Sequence, residues 1–317
     1  MTTIAESLEA AWKKRKTAID RQSPVRVFHG DGEGRGALAS IAIEKFLDFY
    51  WVFEWQGSSK KLSKAQLDEV SEFLKSKEAK GAVHLFRPEK GTPDFPSPLF
   101  GKPPESVTVF EGTRKSLIRF ENTRHPGLFL DHEPIRNWLQ ENSKGKRILN
   151  TFCYTGSISV AAGLGGASAV VNLDLSKPTL KWSEENWVLN GLAREKLKIV
   201  ADDYFAALPR FAKRKELFDV IVLDPPSFSR GLKGNFSTSK DLGKLHRLAL
   251  DVLAPGGVLI SSINSENVSV QEFDAQVDPV IAATKRNLKK LFPIAQPGSF
   301  PGVKYLKGWV YAESTVP

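Results

Sequence analysis

Apolar positions recur along the chain with two different rhythms, and the change between them falls near residue 134. Over residues 4–21, Leu8, Ala11, Trp12 and Ile19 share one side, the spacing of an amphipathic helix. Val25–His29, Leu38–Glu44 and Phe49–Trp55 are short apolar or alternating runs, broken by the glycine-rich turn at residues 29–36. Helical spacing returns over Leu62–Lys77, at Leu67, Val70, Phe73 and Leu74, and Ala82–Phe86 reads as a strand. Residues 87–104, rich in Pro and Gly, predict a loop, and Val107–Phe110 with Ser116–Phe120 predict a hairpin. Residues 1–120 thus form a small α+β domain and residues 121–317 a second domain. In the second, strands are expected at Ile148–Thr151, Val170–Asp174, Ile199–Ala201, Phe218–Asp224, Val258–Ile263 and Leu306–Ala312. Helices alternate with them at Ser157–Leu164, Lys177–Asn190, Tyr204–Lys213, Leu242–Leu253 and Val277–Lys290. The apolar run of FDVIVL, broken only by Asp219, suits a parallel strand covered on both faces. The alternation predicts an α/β fold: a doubly wound, mostly parallel sheet between layers of helices.

Charge narrows the class of partner. The 317 residues carry 45 Lys and Arg against 36 Asp and Glu, a formal charge of +9. Such a surplus suits a polyanion, because each cation set against a phosphate releases a condensed counterion. Residues 1–110 hold 17 basic and 15 acidic side chains and residues 111–317 hold 28 and 21, so the surplus lies in the later part. The single cysteine, Cys153, excludes an intramolecular disulfide and fits a reducing compartment. No stretch approaches the roughly 18 apolar residues of a membrane span. The amphipathic, charged start has no apolar signal core, so the chain reads as cytoplasmic and free of membrane. No metal site is expected.

In open α/β sheets ligands sit beyond the carboxyl ends of the strands. After Ile148–Thr151 comes the turn Phe152-Cys153-Tyr154-Thr155-Gly156. Its glycine lets the backbone approach a ligand, and the helix start behind it offers N–H groups to an anion. The next strand ends in Asp174, followed by Leu175 and Ser176. A carboxylate about 20 residues beyond the glycine turn can accept from both hydroxyls of a ribose. The third strand ends in Asp202 and Asp203, where a carboxylate can accept from an adenine amine. Either aspartate alone could equally cap a helix, but in this order they describe a nucleoside site. The G-x-G-x-x-G fingerprint of dinucleotide binding is absent: the turn holds only Gly156, and Gly163, Gly165 and Gly166 follow the helix as its stop. The fourth strand ends in Asp224-Pro225-Pro226-Ser227-Phe228. Two prolines stiffen an extended backbone and remove its N–H donors, leaving carbonyls to accept from a ligand. Phe228 can stack on a flat base; the alternative is a rigid loop with Phe228 in the core.

These residues carry a family likeness. From about Arg124 to Trp309 the chain resembles bacterial class I 23S ribosomal RNA methyltransferases, through HPGLFLDHEPIRNWLQENSKGK, ILNTFCYTGSISVAAGLGGASAVVNLDLS, WSEENWVLNGL, FDVIVLDPPSFS and YLKGW. It looks closest to the guanine-N7 methyltransferase module of a bifunctional enzyme and is also similar to single-chain cytosine-C5 relatives. The resemblance implies a seven-stranded Rossmann-like methyltransferase sheet, S-adenosylmethionine as cofactor, and 23S rRNA or an assembling large ribosomal subunit as partner. It places Thr155 and Gly156, with Phe152 and Tyr154, at the methionine end. Asp174 falls at the ribose and Asp202 at the adenine, and Leu175, Ser176, Asn190 and Asp203 are counted among the cofactor-binding residues. Asp224, Pro225, Pro226 and Phe228 would line the methyl-transfer pocket, and Asp131 and His132 would close over the cofactor. Two departures stand out. The family has Asp-x-Arg where this chain has Asp131-His132-Glu133, leaving Arg136 or Arg124 as the cation for the methionine carboxylate. The cytosine-C5 relatives generally begin with a PUA-type RNA-binding domain, and there is no room for one before Val25.

The acceptor atom is also legible by resemblance. Cytosine C5 needs a thiolate at C6 first, and Asn264 stands where those relatives have their cysteine. Cys153 lies on the cofactor turn, as a buried small residue. A base nitrogen needs no thiolate, so guanine N7 is favoured. A cytosine-C5 enzyme, a methyltransferase for protein or small molecules, and a non-catalytic RNA-binding protein are the alternatives.

Overall fold

In a computed structural model, residues 3–313 are described apart from 21–22, 35, 57–60, 232–233, 266, 285 and 303–304. The chain divides into two units: Met1–Leu130 with Pro297–Val303, and Asp131–Gln296 with Lys304–Pro317. The boundary expected at residue 120 lies ten residues before this division, and the return of 297–303 has no signature in the sequence.

In the first unit a capping box at Thr3 and Glu6 starts α1 (Ile4–Lys14), followed by α2 (Lys16–Asp20). The sequence expects one helix to residue 21, which lies outside the described residues. The break comes at Arg15, whose buried guanidinium pairs with Glu33 at 2.7 Å. Strands β1 (Val25–His29), β2 (Ile41–Phe46), β3 (Phe49–Trp55), β4 (Gly81–Arg87) and β5 (Ser97–Gly101) form one sheet in chain order. A single helical turn, α3 (Gly30–Glu33), follows β1, and α4 (Lys64–Ser76) makes the crossover that lets β3 and β4 run parallel. Strand β5 lies inside the expected loop; it is a mostly exposed edge strand bearing Pro98, with no alternating pattern to announce it. A separate hairpin joins β6 (Ser106–Glu111) to β7 (Arg114–Arg119). Leu8, Ala11, Val70 and Leu74 from the helices cover Val27, Ile43, Tyr50 and Val52 of the sheet.

The second unit opens with α5 (Glu133–Asn142). Next come β8 (Arg147–Thr151), α6 (Ser157–Leu164), β9 (Ala169–Asp174), α7 (Lys177–Leu189), β10 (Leu197–Ala201), α8 (Tyr204–Lys213) and β11 (Phe218–Leu223). A hairpin of β12 (Phe228–Gly231) and β13 (Gly234–Ser237) precedes α9 (Leu242–Leu250), β14 (Leu253–Asn264), α10 (Val270–Ala283), β15 (Leu288–Pro293) and β16 (Leu306–Glu313). The seven-stranded sheet has the order β10-β9-β8-β11-β14-β16-β15. It is parallel from β10 to β14, and β16 runs antiparallel between β14 and β15. Successive residues serve opposite layers, as the FDVIVL run requires: Val220 and Val222 face Ala161 and Trp187, while Ile221 and Leu223 face Leu208, Leu245 and Phe273. The helix expected at Val277–Lys290 is displaced. A capping box at Ser269 and Glu272 starts α10 seven residues earlier, and Leu288–Pro293 is a strand against β16. Among the described residues, no helix is long and apolar enough to cross a membrane.

Candidate active site

The chain winds one way after β8 and the other way after β11, so the carboxyl ends of these adjacent strands open the crevice of the sheet. Three left-handed residues follow β8 at alternate positions: Phe152 (φ 53°), Tyr154 (φ 50°) and Gly156 (φ 72°). Each of the two non-glycine residues costs about 1–2 kcal/mol, a strain that persists only where its surroundings enforce it. Asp174 at the end of β9 is one enforcer: Tyr154 N–H donates to its Oδ2 at 3.0 Å, and Ser176 N–H to its Oδ1 at 2.9 Å. Asn186 is another, donating to Thr155 O at 2.9 Å from the buried face of α7. Gly156 is the N-cap of α6, and no side chain caps that helix. A Cβ on Gly156 would lie 2.8 Å from Ser183 Cβ. The backbone donors at the uncapped start of α6, behind a glycine pressed against α7, therefore form a cradle suited to a carboxylate. Asp174 is half-buried and retains lone pairs for hydroxyl donors.

Below the turn runs a polar ladder that the sequence does not announce. Asn150 donates to Ser159 at 2.9 Å, Ser159 donates to Asn172, and Asn172 donates to Ser183 at 3.1 Å, all buried.

The DPP turn is anchored by charge. His132 is 3% exposed. Its Nδ1 lies 3.0 Å from Asp131 Oδ1 and its Nε2 3.0 Å from Asp224 Oδ2. Burial alone would push the imidazole pKa down, but the charges of Asp224 and Asp131 outweigh it and raise the value to about 10. His132 is thus an imidazolium bridging two carboxylates at neutral pH. Ser262 donates to Asp224 Oδ1 at 2.7 Å, Asn264 Nδ2 donates to Asp131 Oδ2 at 3.3 Å, and Ser227 Oγ donates to Asn264 O at 2.7 Å. Pro225 is buried, Pro226 exposed, and Phe228 stands 54% exposed rather than in the core. The one hint of Ser262 in the sequence is the pair of serines in an otherwise apolar central strand. Its neighbour Ser261 serves the opposite face, bonded to neutral His246, whose pKa burial pushes down to about 4.

Other expected residues fall elsewhere or are already engaged. Asn190 sits at the far end of α7 from Asp174, its amide donating to Asn186 O at 2.8 Å. Asn186, one helical turn before it, is the residue that reaches Thr155 of the turn. Asp203 is buried as the N-cap of α8, accepting from Phe205 N–H at 2.8 Å. Asp202 reaches the carboxyl edge beside Asp174 but is paired with Arg210. Leu175 is exposed, and Ser176 caps α7. Phe152 stacks on Tyr204 with centroids 5.3 Å apart, and Tyr154 lies 6.2 Å from Trp182. Arg136 is 1% exposed on α5. Arg124 belongs to the first unit, donating to Pro93 O at 2.6 Å. Cys153 is buried, and desolvation, followed by the charge of Asp174, raises its thiol pKa well above the ordinary value. No cluster of metal-ligating side chains occurs among the described residues.

Seven strands in this order, with the glycine turn, Asp174 and Asp224 on one edge, define a doubly wound nucleoside-binding enzyme. Residues 26–308 match the S-adenosylmethionine-dependent methyltransferase family, and the chain belongs to it. It is 41% identical over 162 residues, half its length, to a ribosomal RNA large subunit methyltransferase K/L from Chromohalobacter salexigens, of which it spans 22%. It is 29% identical over 312 residues to ribosomal RNA large subunit methyltransferase I from Aeromonas hydrophila, covering 95% of this chain and 77% of that one. Among solved structures, one described as a methyltransferase and complexed with SAH superposes with a TM-score of 0.85 at 26% identity, over 97% of this chain and 80% of that chain. The cofactor is S-adenosylmethionine, and the cradle at Gly156 with the carboxylate of Asp174 fits it.

Proposed function

We propose that this methyltransferase modifies a base nitrogen in ribosomal RNA of the large subunit, guanine N7 before others. The position of the only thiol carries the reading. Cys153 is buried within the cofactor turn with its ionisation suppressed, while the end of β14 presents Asn264, so no thiolate is available to activate a ring carbon. The names of the relatives and the net charge of +9 support RNA as the substrate.

In this reading the turn from Phe152 to Gly156 holds the methionine carboxylate, Asp174 the ribose, and Asp202 with Leu175 the adenine. The bound cofactor supplies an electrophilic methyl group on a sulfonium. Held in line with the N7 lone pair, that methyl group would pass to the nitrogen with the thioether as leaving group. N7 carries no proton, so no general base is required. The tasks left to the protein are orientation and exclusion of water. Phe228 offers a ring for the base to stack on, and Pro225 and Pro226 leave only carbonyls facing it. His132 and Ser262 hold Asp224 in one orientation. Residues 1–120 would supply further RNA contacts.

Nucleosides from RNA methylated by the purified protein should contain 7-methylguanosine by mass spectrometry; 5-methylcytidine would overturn the nitrogen assignment. Cys153→Ala should keep base methylation within a few-fold, and abolition with the fold intact would restore a thiolate mechanism. Absence of S-adenosylmethionine binding in calorimetry would favour an RNA-binding protein without turnover.

A further inference from the structure

The first unit contains a line of aromatic rings that the methyl-transfer chemistry does not use. Alternate residues of β3 share a face, and here all four are aromatic: Phe49, Trp51, Phe53 and Trp55. Trp51 and Phe53 stack with centroids 5.4 Å apart, Phe53 and Trp55 at 5.8 Å, with planes within 30°. The line runs out of the core: Trp51 is 0% exposed, Phe53 2% and Trp55 41%. The parallel register sets Arg87 opposite Trp55, and its guanidinium lies 5.6 Å from the Phe53 ring. His125 stacks on the same ring at 6.1 Å, and Phe129, 38% exposed, stacks on His125 at 4.1 Å. Arg87 also donates to Arg124 O at 2.6 Å, and the Arg124 guanidinium lies 4.6 Å over Phe95, the most exposed ring of the group. Among the described residues Arg124 donates to a carbonyl and pairs with no carboxylate.

Exposed rings gathered in one place, rather than scattered singly, mark a binding surface. The interleaved guanidinium groups choose its partner. Flat rings take base faces, guanidinium groups take phosphates and stack on bases in turn, and both require bases that are not already stacked in a duplex. We propose that Trp55, Phe95 and Phe129, with Arg87 and Arg124, form a stacking platform for unpaired bases of single-stranded RNA. This rests on RNA being the substrate and names a grip on the strand in addition to the methyl-transfer pocket.

The probe is a fluorescein-labelled 12-nucleotide mixed-sequence RNA, single-stranded or annealed to its complement, with binding read by anisotropy. The single strand should bind more tightly than the duplex. Trp55→Ala and the Phe95→Ala/Phe129→Ala pair should each weaken it about tenfold, within the range stacking of one base supports. Trp55→Phe, which keeps a ring, should stay within about threefold of the parent. Binding of S-adenosylhomocysteine by calorimetry should not change in any of them, which shows the variants folded. Unaltered single-strand binding in both ring-removing variants overturns the platform and leaves the surface to a protein partner. Methyl transfer to RNA separates the two readings. If the rings matter for binding but no RNA is ever methylated, the platform stands and the substrate assignment falls. If RNA is methylated and the rings are dispensable for binding, the reverse holds.

Discussion

His132→Gln unfolds at a markedly lower denaturant concentration than the parent protein at pH 6, and the gap closes as the pH rises. Removing the imidazolium leaves Asp131 and Asp224 facing one another across a buried space, a change that costs about 3–5 kcal/mol. The pH dependence follows from linkage. The imidazole has a pKa near 6.5 in an unfolded chain and about 10 in the fold. A group whose pKa rises on folding contributes most when both states are protonated. The advantage of histidine is therefore whole below about pH 6.5, shrinks above it, and is lost as the pH passes about 10. Paired urea titrations of the two proteins at pH 6, 8 and 10.5 measure it. A gap of constant size across that range would mean that His132 is neutral in the fold. Turnover should fall further than stability, because Asp224 and the proline turn lose their fixed orientation; single-turnover methylation at saturating cofactor reads that loss separately.

Gly156→Ala should weaken S-adenosylhomocysteine binding by at least about tenfold. The left-handed conformation costs an alanine about 1–2 kcal/mol, and each 1.4 kcal/mol is tenfold in affinity. The new methyl group would also lie 2.8 Å from Ser183 Cβ, so the turn must move from α7. The double variant Gly156→Ala/Ser183→Gly removes that obstacle and keeps the backbone strain, and it should recover part of the affinity. Calorimetry on the three proteins decides the matter, with circular dichroism to show that each is folded. Equal affinity in all three would mean that the cofactor does not approach this turn.

The sheet strands of the second unit could be read from the chain because each parallel strand is a short apolar run ending at a polar residue with a local job: Thr151, Asp174, Asp224. The helix at Ser157–Leu164 has the same bounds in the sequence and in the structure. What was hidden depended on partners distant in sequence. The strand at Leu288–Pro293 alternates weakly and mixes Lys289, Lys290 and Pro293 with exposed Leu291 and Phe292; only pairing with β16 makes it a strand. His132 could be named but not explained, since its two carboxylates lie 1 and 92 positions away. Ser262 shows only as one of two serines in an apolar strand, and Asn264 only through the resemblance; neither reveals its bond to Asp224 or Asp131. Asp202 and Asp203 show the opposite failure. They are adjacent, both suit a ligand, and only the start of α8 reveals that Asp203 is spent on the helix.

Residues 297–302 pack into the first unit, where Ser299 O accepts from buried Arg15 and the ring of Phe300 lies 4.3 Å beneath the Arg26 guanidinium. On a translating ribosome, the opening 130 residues leave the exit tunnel long before this segment exists. Their native packing cannot be finished until nearly the whole catalytic unit has been made. The order of synthesis and the order of completion are therefore inverted. A nascent chain halted near residue 290 would carry a first unit with that seat vacant, open to chaperones and proteases.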